Sequence, residues 1–251
     1  MRGIERKLSI MKDIQEHGQA DINELAIKYK VSTMTIRRDL AKLSEDGMVT
    51  LEYGGAVLNN GAFVEYSMHM KEAEFLKEKQ QIAKECASYI KEGDAVFLDA
   101  GTTVCEVAKC IAHRKNITVM THSLLVANIL SGSEINLIMC PGQFRKKSMA
   151  YMGQFTDDFI DMFQVDKLFL GVEGIDLEQG LSVPNIEDGI TKRHLIKHAK
   201  WTTCLVDHSK FDQICYHKIC DLEEIDQLIT DNGLQDDMKA RYENKVKLII
   251  K

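Results

Sequence analysis

Proline is almost missing from this chain, with two residues in 251, and glycine is sparse at 16. Flexible and disordered tracts are rich in one or both, so long linkers are not expected. No apolar run approaches the roughly 20 residues that a membrane-spanning helix needs. The opening residues, Met-Arg-Gly-Ile-Glu-Arg-Lys, lack the apolar stretch of a secretory signal. The expectation is a cytoplasmic protein with no membrane partner.

The seven cysteines are odd in number and scattered, with no Cys-x-x-Cys pair. In a reducing compartment such residues serve as small buried hydrophobes, so neither a disulfide framework nor a metal site is expected. His194 and His198 have the i, i+4 spacing of helical zinc ligands, but the segment is His-Leu-Ile-Lys-His. The glutamate of a His-Glu-x-x-His metalloprotease is lacking, and the pair reads as a solvated helix face. An excess of positive charge is absent too: the net charge is −6. A role with nucleic acid must therefore rest on where the charges sit.

Helical periodicity opens the chain. Ile4, Leu8, Met11 and Ile14 form one stripe, with Gly18 placed to end the helix. Asp21, followed three residues on by Glu24, marks a second start, with Ile22, Leu25, Ala26 and Tyr29 as the apolar face. Ser32 can cap a third helix, ending near Gly47, that buries Ile36, Leu40 and Leu43. Its outer positions are Ser32, Thr33, Thr35, Arg37, Arg38 and Lys42. Two short helices and a tight turn make a helix-turn-helix, in which the start of the second helix reaches base edges and flanking hydroxyls and cations bond phosphates. The run from Met48 to Leu58 holds two β-prone stretches around Gly54-Gly55, the expected hairpin turn. A three-helix module that binds protein is the alternative on pattern alone.

Residues 65–92 are charged and helical, with Leu76, Ala83, Ala87 and Ile90 on one face packing on the sheet that follows. Beyond residue 94 apolar runs alternate with helical stretches: 95–98, 117–120, 135–139, 167–172, 202–206, 227–230 and 247–250. Val104, Val107, Ala108 and Ile111 stripe the first intervening helix. That alternation predicts a mostly parallel α/β sheet, whose ligands sit beyond the carboxyl ends of the strands. The polar residues just past those ends are Asp99, Gly101, Thr102 and Thr103, then Thr121 and Ser123, then Gly142 and Arg145. They continue with Glu173, Asp176, Asp207 and Lys210, and Lys192 and Arg193 lie on a helix starting near Glu187. Together they offer N–H groups and hydroxyls for a phosphate, cations to neutralise it and carboxylates for sugar hydroxyls.

Val31-Ser-Thr-Met-Thr-Ile-Arg-Arg-Asp-Leu40 and Tyr53-Gly-Gly-Ala56 resemble the winged helix-turn-helix of the DeoR family of bacterial transcriptional regulators. Asp99-Ala-Gly-Thr-Thr103, Thr121-His-Ser-Leu124, Gly171-Val-Glu-Gly-Ile-Asp176, Lys192-Arg193, Val206-Asp-His-Ser-Lys-Phe211 and Ile229-Thr-Asp231 resemble that family's sensor domain, which is related to sugar-phosphate isomerases. The likeness covers nearly the whole chain. It implies a winged helix-turn-helix over 1–60, a linker and connecting helix over 61–92, and an isomerase-like α/β sensor domain over 93–251. It also implies double-stranded operator DNA and a phosphorylated sugar or related effector as partners, a homo-oligomer, and repression. By the same likeness Asp99, Gly101, Thr102, Thr103, Thr121, Ser123, Lys192, Asp207 and Lys210 would contact the effector. No cofactor, metal or catalytic residue is implied. Several positions depart from the family pattern. The wing has Thr50, Leu51, Glu52 and Tyr53 where basic residues and His are common. Met139-Cys-Pro-Gly142 stands where relatives often have a Gly-Gly pair, His122 replaces a frequent Asn, and Glu173 stands where Asp is usual. The other function consistent with the residues is an isomerase using Glu173, Glu187 or Asp207 as base.

Overall fold

The computed structural model describes residues 3–45, 47–59, 65 and 68–251. The chain divides into two compact units, Met1–Glu74 and Phe75–Lys251. Part of the expected linker, at 60–64, 66 and 67, lies outside the described residues.

The first unit runs α1 (Gly3–His17), β1 (Gln19–Asp21), α2 (Ile22–Tyr29), α3 (Thr33–Glu45), β2 (Val49–Glu52), β3 (Gly55–Leu58) and a short α4 (Met68–Ala73). Asp21 caps α2 by accepting the N–H groups of Asn23 and Glu24. Lys30, in the left-handed region at φ 54°, ends that helix and turns the chain into α3. Ser32 Oγ accepts the Thr35 N–H at 3.2 Å. Ile10, Met11 and Ile14 of α1 meet Ile22 and Leu25 of α2, and Ile36, Leu40 and Leu43 of α3, in one core. Arg6 Nε donates to Asp39 Oδ2 at 2.6 Å, so an almost fully buried ion pair joins α1 to α3.

The hairpin is present but its turn is shifted by one residue from the expectation. Glu52 pairs with Gly55, leaving Tyr53 and Gly54 as the two-residue loop. Gly55 serves another purpose. β1, which the sequence did not suggest, pairs antiparallel with β3, and a Cβ on Gly55 would lie 2.2 Å from the Ala20 carbonyl oxygen. Close backbone approach, not turn geometry, requires that glycine.

The second unit is a three-layer α/β/α fold. Its elements are α5 (Leu76–Tyr89), β4 (Ala95–Leu98), α6 (Thr102–Ile111), β5 (Thr118–Thr121), α7 (Leu124–Leu130), β6 (Asn136–Met139), β7 (Gln143–Arg145), β8 (Ala150–Met152) and α8 (Gln154–Ile160). There follow β9 (Lys167–Gly171), β10 (Gly174–Asp176), β11 (Gly180–Val183), α9 (Ile186–Lys197), β12 (Thr202–Leu205), β13 (His217–Cys220), β14 (Gln227–Thr230), α10 (Asp236–Glu243) and β15 (Leu248–Ile250). Seven strands form one parallel sheet in the order β15-β14-β12-β9-β4-β5-β6. These are the seven apolar runs of the sequence. Strands covered on both faces carry apolar side chains at nearly every position.

Alternation divides those side chains between the layers. Val96, Leu98 and Phe169 face a core with Ile82, Ala83, Cys86 and Ala87 of α5 and Val104, Val107 and Ala108 of α6. Phe97, Leu168 and Leu170 face the opposite core with Ile160 and Leu195 of the α8 and α9 side. α5 thus packs on the sheet through Ile82, Ala83, Cys86, Ala87 and Ile90, while Leu76, expected on that face, is 40% exposed. It begins the helix, one turn short of the sheet-covering stripe. A small antiparallel sheet, β10-β11-β13, and the hairpin β7-β8 complete the unit. Among the described residues no helix is long and apolar enough to cross a membrane. All seven cysteines are free thiols, five of them buried.

Gly55→Ala should destabilise the first unit by about 1–3 kcal/mol, because the atom it would strike is backbone and cannot rotate away. Gly132→Ala, where a Cβ meets nothing within 4 Å, should stay within about 0.5 kcal/mol of the parent. Urea unfolding of both variants checks the pair; equal stabilities would contradict the packing reason given for Gly55.

Candidate functional site

Two surfaces carry chemistry, one in each unit. On α3, Ile36, Asp39, Leu40 and Leu43 are buried, which turns Ser32, Thr33, Arg37, Arg38 and Lys42 outward, with Thr35 half-buried. The Ser32 and Thr35 hydroxyls lie 2.9 Å apart and bond each other. Lys42 Nζ sits 2.7 Å from Glu45 Oε2, an exposed pair along the helix. Such a pair is weakly held and screened by salt. Of the expected cations, Arg37 and Arg38 are those without a side-chain partner among the described residues.

In the second unit the sheet order reverses between β4 and β9. Successive strands run outward from β4 to β5 and β6 on one side and through β9 to β12, β14 and β15 on the other. A crevice at such a switch point, beyond the carboxyl ends, is where open α/β sheets bind ligands. Gly101 caps α6 there with φ 156°, and a Cβ on it would meet nothing closer than 3.9 Å. The first intrahelical bond runs from the Cys105 N–H to the Gly101 carbonyl at 3.0 Å. The N–H groups of Thr102, Thr103 and Val104 therefore lie ahead of the helical ladder, the arrangement that attracts phosphate. Gly101 and Thr102 are partly exposed, and Thr103 is nearly buried.

Asp99, expected to touch a ligand, is wholly buried at the end of β4. Its Oδ2 accepts the Gly171 N–H at 2.9 Å and the Lys192 ammonium at 2.6 Å, and its Oδ1 lies 2.9 Å from His122 Nε2. His122 Nδ1 also faces the Tyr151 carbonyl at 3.0 Å, and the Ala100 N–H points at Nε2 from 3.2 Å. One carboxylate thus ties together the ends of β4, β5 and β9, the hairpin β7-β8 and helix α9. Burial pushes the Asp99 carboxyl up, but the Lys192 charge and the hydrogen bonds from His122 and Lys192 outweigh it and hold the group at about 2. Burial opposes the Lys192 charge, yet the carboxylates of Asp188 and Asp99 raise its affinity for the proton above the ordinary lysine value. Asp188 Oδ1 stands 3.4 Å from Lys192 Nζ, outside hydrogen-bond geometry, and burial raises its carboxyl.

The other expected residues fall into two groups. Thr121, Ser123 and Asp207 are buried and locally engaged: Thr121 Oγ1 accepts the Ser123 N–H at 3.0 Å, Ser123 Oγ caps α7, and Asp207 Oδ1 accepts from the Ser209 N–H and hydroxyl. Lys210 and Arg145 are half-buried at the surface, with Lys210 Nζ 3.4 Å from Glu173 Oε2. Gly142 has a packing reason, since a Cβ there would lie 2.1 Å from Thr156 Oγ1. Arg193 does not join Lys192. Its guanidinium donates to the Ile219 and Lys218 carbonyls of β13 at 2.6 and 2.8 Å, on the other side of α9. A groove of about 480 Å³ opens on that side, lined by Arg193, Ile196, Lys218 and Glu224 among others, and it includes none of the strand-end residues. His194 Nδ1 bonds Asp161 Oδ1 at 2.7 Å, joining α9 to the end of α8, and His198 Nε2 lies 3.0 Å from the same oxygen without a hydrogen bond. Among the described residues no group of three His, Cys, Asp or Glu is arranged to hold a metal.

The sequence reading missed the partners more than the residues. His208, between Asp207 and Lys210, holds the buried Asp231 through Nδ1 at 2.8 Å and its backbone N–H at 2.8 Å. Phe75 stands edge-on to its ring at 4.7 Å between centroids. The Ile229-Thr-Asp231 stretch holds the signal, but sequence cannot show that its carboxylate faces a residue 23 positions away.

Lys192→Met should cost about 3–5 kcal/mol, because it leaves the Asp99 carboxylate buried without its cation. Adding Asp99→Asn should recover part of that loss, which a double-mutant cycle in urea would read. An unchanged midpoint for Lys192→Met would show that the pair is not structural. The pH dependence has a fixed sign. Asp99 titrates lower in the folded chain than its unfolded value near 3.9, so its contribution is present above about pH 4–5. It is lost as pH falls toward 2, and the Asp99→Asn variant should show a shallower acid slope.

Two family models match the chain: a DeoR-like helix-turn-helix domain over residues 6–62 and the DeoR C-terminal sensor domain over residues 74–232. The glycerol-3-phosphate regulon repressor of Escherichia coli (strain K12) is 32% identical over 232 residues, 92% of each chain. The HTH-type transcriptional repressor GlcR of Bacillus subtilis (strain 168) is 35% identical over 230 residues, 90% of this chain and 88% of the relative. Among solved structures, ribose 5-phosphate isomerase A from Methanocaldococcus jannaschii aligns at 19% identity and a TM-score of 0.40, over 53% of each chain. With both of its units matched in order, this chain belongs to the DeoR family of DNA-binding transcriptional regulators.

Proposed function

We propose that the chain is a repressor that grips operator DNA through α3 as a symmetric oligomer and lets go when a phosphorylated sugar or related metabolite fills the strand-end crevice. The observation that carries this reading is the α6 start. Three N–H groups lie ahead of the helix ladder beside Gly101 and Thr102, at the switch point of the sheet, in a chain that also presents two unpaired arginines on a helix-turn-helix. Gly101, Thr102 and Thr103 hold the phosphate, and Lys210 and Arg145 supply the approaching cations. Asp99, Lys192, Thr121, Ser123 and Asp207 keep that frame in shape from below. The repressor names of relatives, one of them for a glycerol-3-phosphate regulon, support both the sign of control and a phosphorylated effector.

A sensor rather than an isomerase suits the carboxylates. Asp207 is engaged by Ser209, Glu173 faces Lys210 and Glu187 is exposed on α9. A base must lie within about 2.6–3.2 Å of the proton it takes. Paired half-sites require paired reading heads, hence the oligomer. Release needs only that the effector bind one arrangement of the heads more tightly than the other.

Arg37→Ala and Arg38→Ala should each weaken operator binding about tenfold, the loss of one charge-assisted contact worth ~1.4 kcal/mol. A variant that loses a phosphate contact should also show a salt slope lower by about 1. Anisotropy of a labelled duplex measures both, and full affinity in both variants would refute the α3 assignment. Lys210→Ala should keep operator affinity and lose release by effector; normal release would place the effector elsewhere.

A further inference from the structure

Within α3, the buried residues Ile36, Asp39, Leu40 and Leu43 fix which side faces inward. At 100° per residue the diametrically opposite line runs through Met34, Arg38, Ala41 and Glu45, with Thr33 and Arg37 on one flank and Thr35 and Lys42 on the other. Met34, in the first turn, is 66% exposed. It is the apolar side chain at the centre of the outward face, on the turn that meets base edges in a helix-turn-helix. A thioether has no donor for phosphate and is only a weak acceptor for a base-edge amine. The apolar group that a major groove offers is the thymine C5-methyl. Arg38 lies one turn on and has no side-chain partner among the described residues. Its fork matches guanine O6 and N7. Further along the same line, Glu45 is paired with Lys42 at 2.7 Å.

We infer that Met34 and Arg38 form a two-residue reading head, in which Met34 covers a thymine methyl and Arg38 bonds a guanine nearby. Four residues of helix advance about 6 Å, close to two base-pair steps of about 3.4 Å, so the thymine and guanine lie within about two base pairs of each other. Arg37, on the flank, is left for the backbone. This inference rests on the operator-binding reading of α3 and adds to it which bases are recognised.

The test uses the full-length chain. Duplexes bound by it are enriched from a random pool, and the enriched site is resynthesised with each thymine in turn replaced by deoxyuridine, which keeps every hydrogen-bonding edge and lacks only the methyl. The parent protein should lose about fourfold in affinity at one thymine of each half-site, the worth of one buried methyl. Met34→Ala should bind the thymine and deoxyuridine duplexes equally there. Since the side chain is mostly in water, the variant keeps the fold. A guanine analogue with carbon in place of N7, within two base pairs of that thymine, should weaken the parent but not Arg38→Ala. An enriched site at which every deoxyuridine is neutral for the parent, or a Met34→Ala protein that keeps the full penalty, overturns the inference and leaves the operator reading intact. Failure to enrich any sequence overturns the operator reading itself.

Discussion

A single buried carboxylate holds the point where the parallel sheet reverses its order. Asp99 gathers an N–H from the end of β9, an ammonium from α9 and an imidazole from the end of β5. The sheet ladder already pairs the ends of β4, β5 and β9, and the Asp99 contacts add the hairpin β7-β8 and helix α9 to them. The interaction is costly to build, because an unpaired charge in such a place is strongly disfavoured. Removing one partner would leave a charge buried without its counter-charge.

The N-terminal unit solves a similar problem with less material. The Arg6–Asp39 pair and the Ile10, Met11 and Ile14 face of α1 fix the roll of α3, and that roll decides which side chains face a duplex. The tight approach of Gly55 to Ala20 stitches the wing to the strand that precedes α2. The first device leaves Arg37 and Arg38 of α3 in solvent.

Elements whose burial writes itself into the residue pattern were legible in the sequence. All seven strands of the parallel sheet were found because residues covered from both faces read as unbroken apolar runs. The stripe of α6 was found because helical periodicity repeats it. Three-residue strands such as β1 and β10 carry too few residues to show a period, and they went unseen. The hairpin turn was misplaced by one residue because Gly54 and Gly55 look alike in sequence, although one lies in the turn and the other makes room for a carbonyl. Leu76 matched the stripe of its helix but lies at the end, where the sheet no longer covers it. Residue types at the strand ends were readable, but not which of them lie under the surface. Asp99 and Lys192 stand 93 positions apart, and sequence alone gives no sign that each satisfies the other.

The coupling of the two surfaces is the central claim, and release of DNA reads it directly. A labelled operator duplex bound to the full-length chain would be titrated with paired metabolites, each sugar phosphate beside its unphosphorylated counterpart, while product formation is followed in the same samples. One phosphorylated compound should release the duplex, its unphosphorylated partner should not, and neither should be converted. Conversion of a sugar phosphate with the duplex still bound, or release that does not depend on the phosphate, would contradict that coupling.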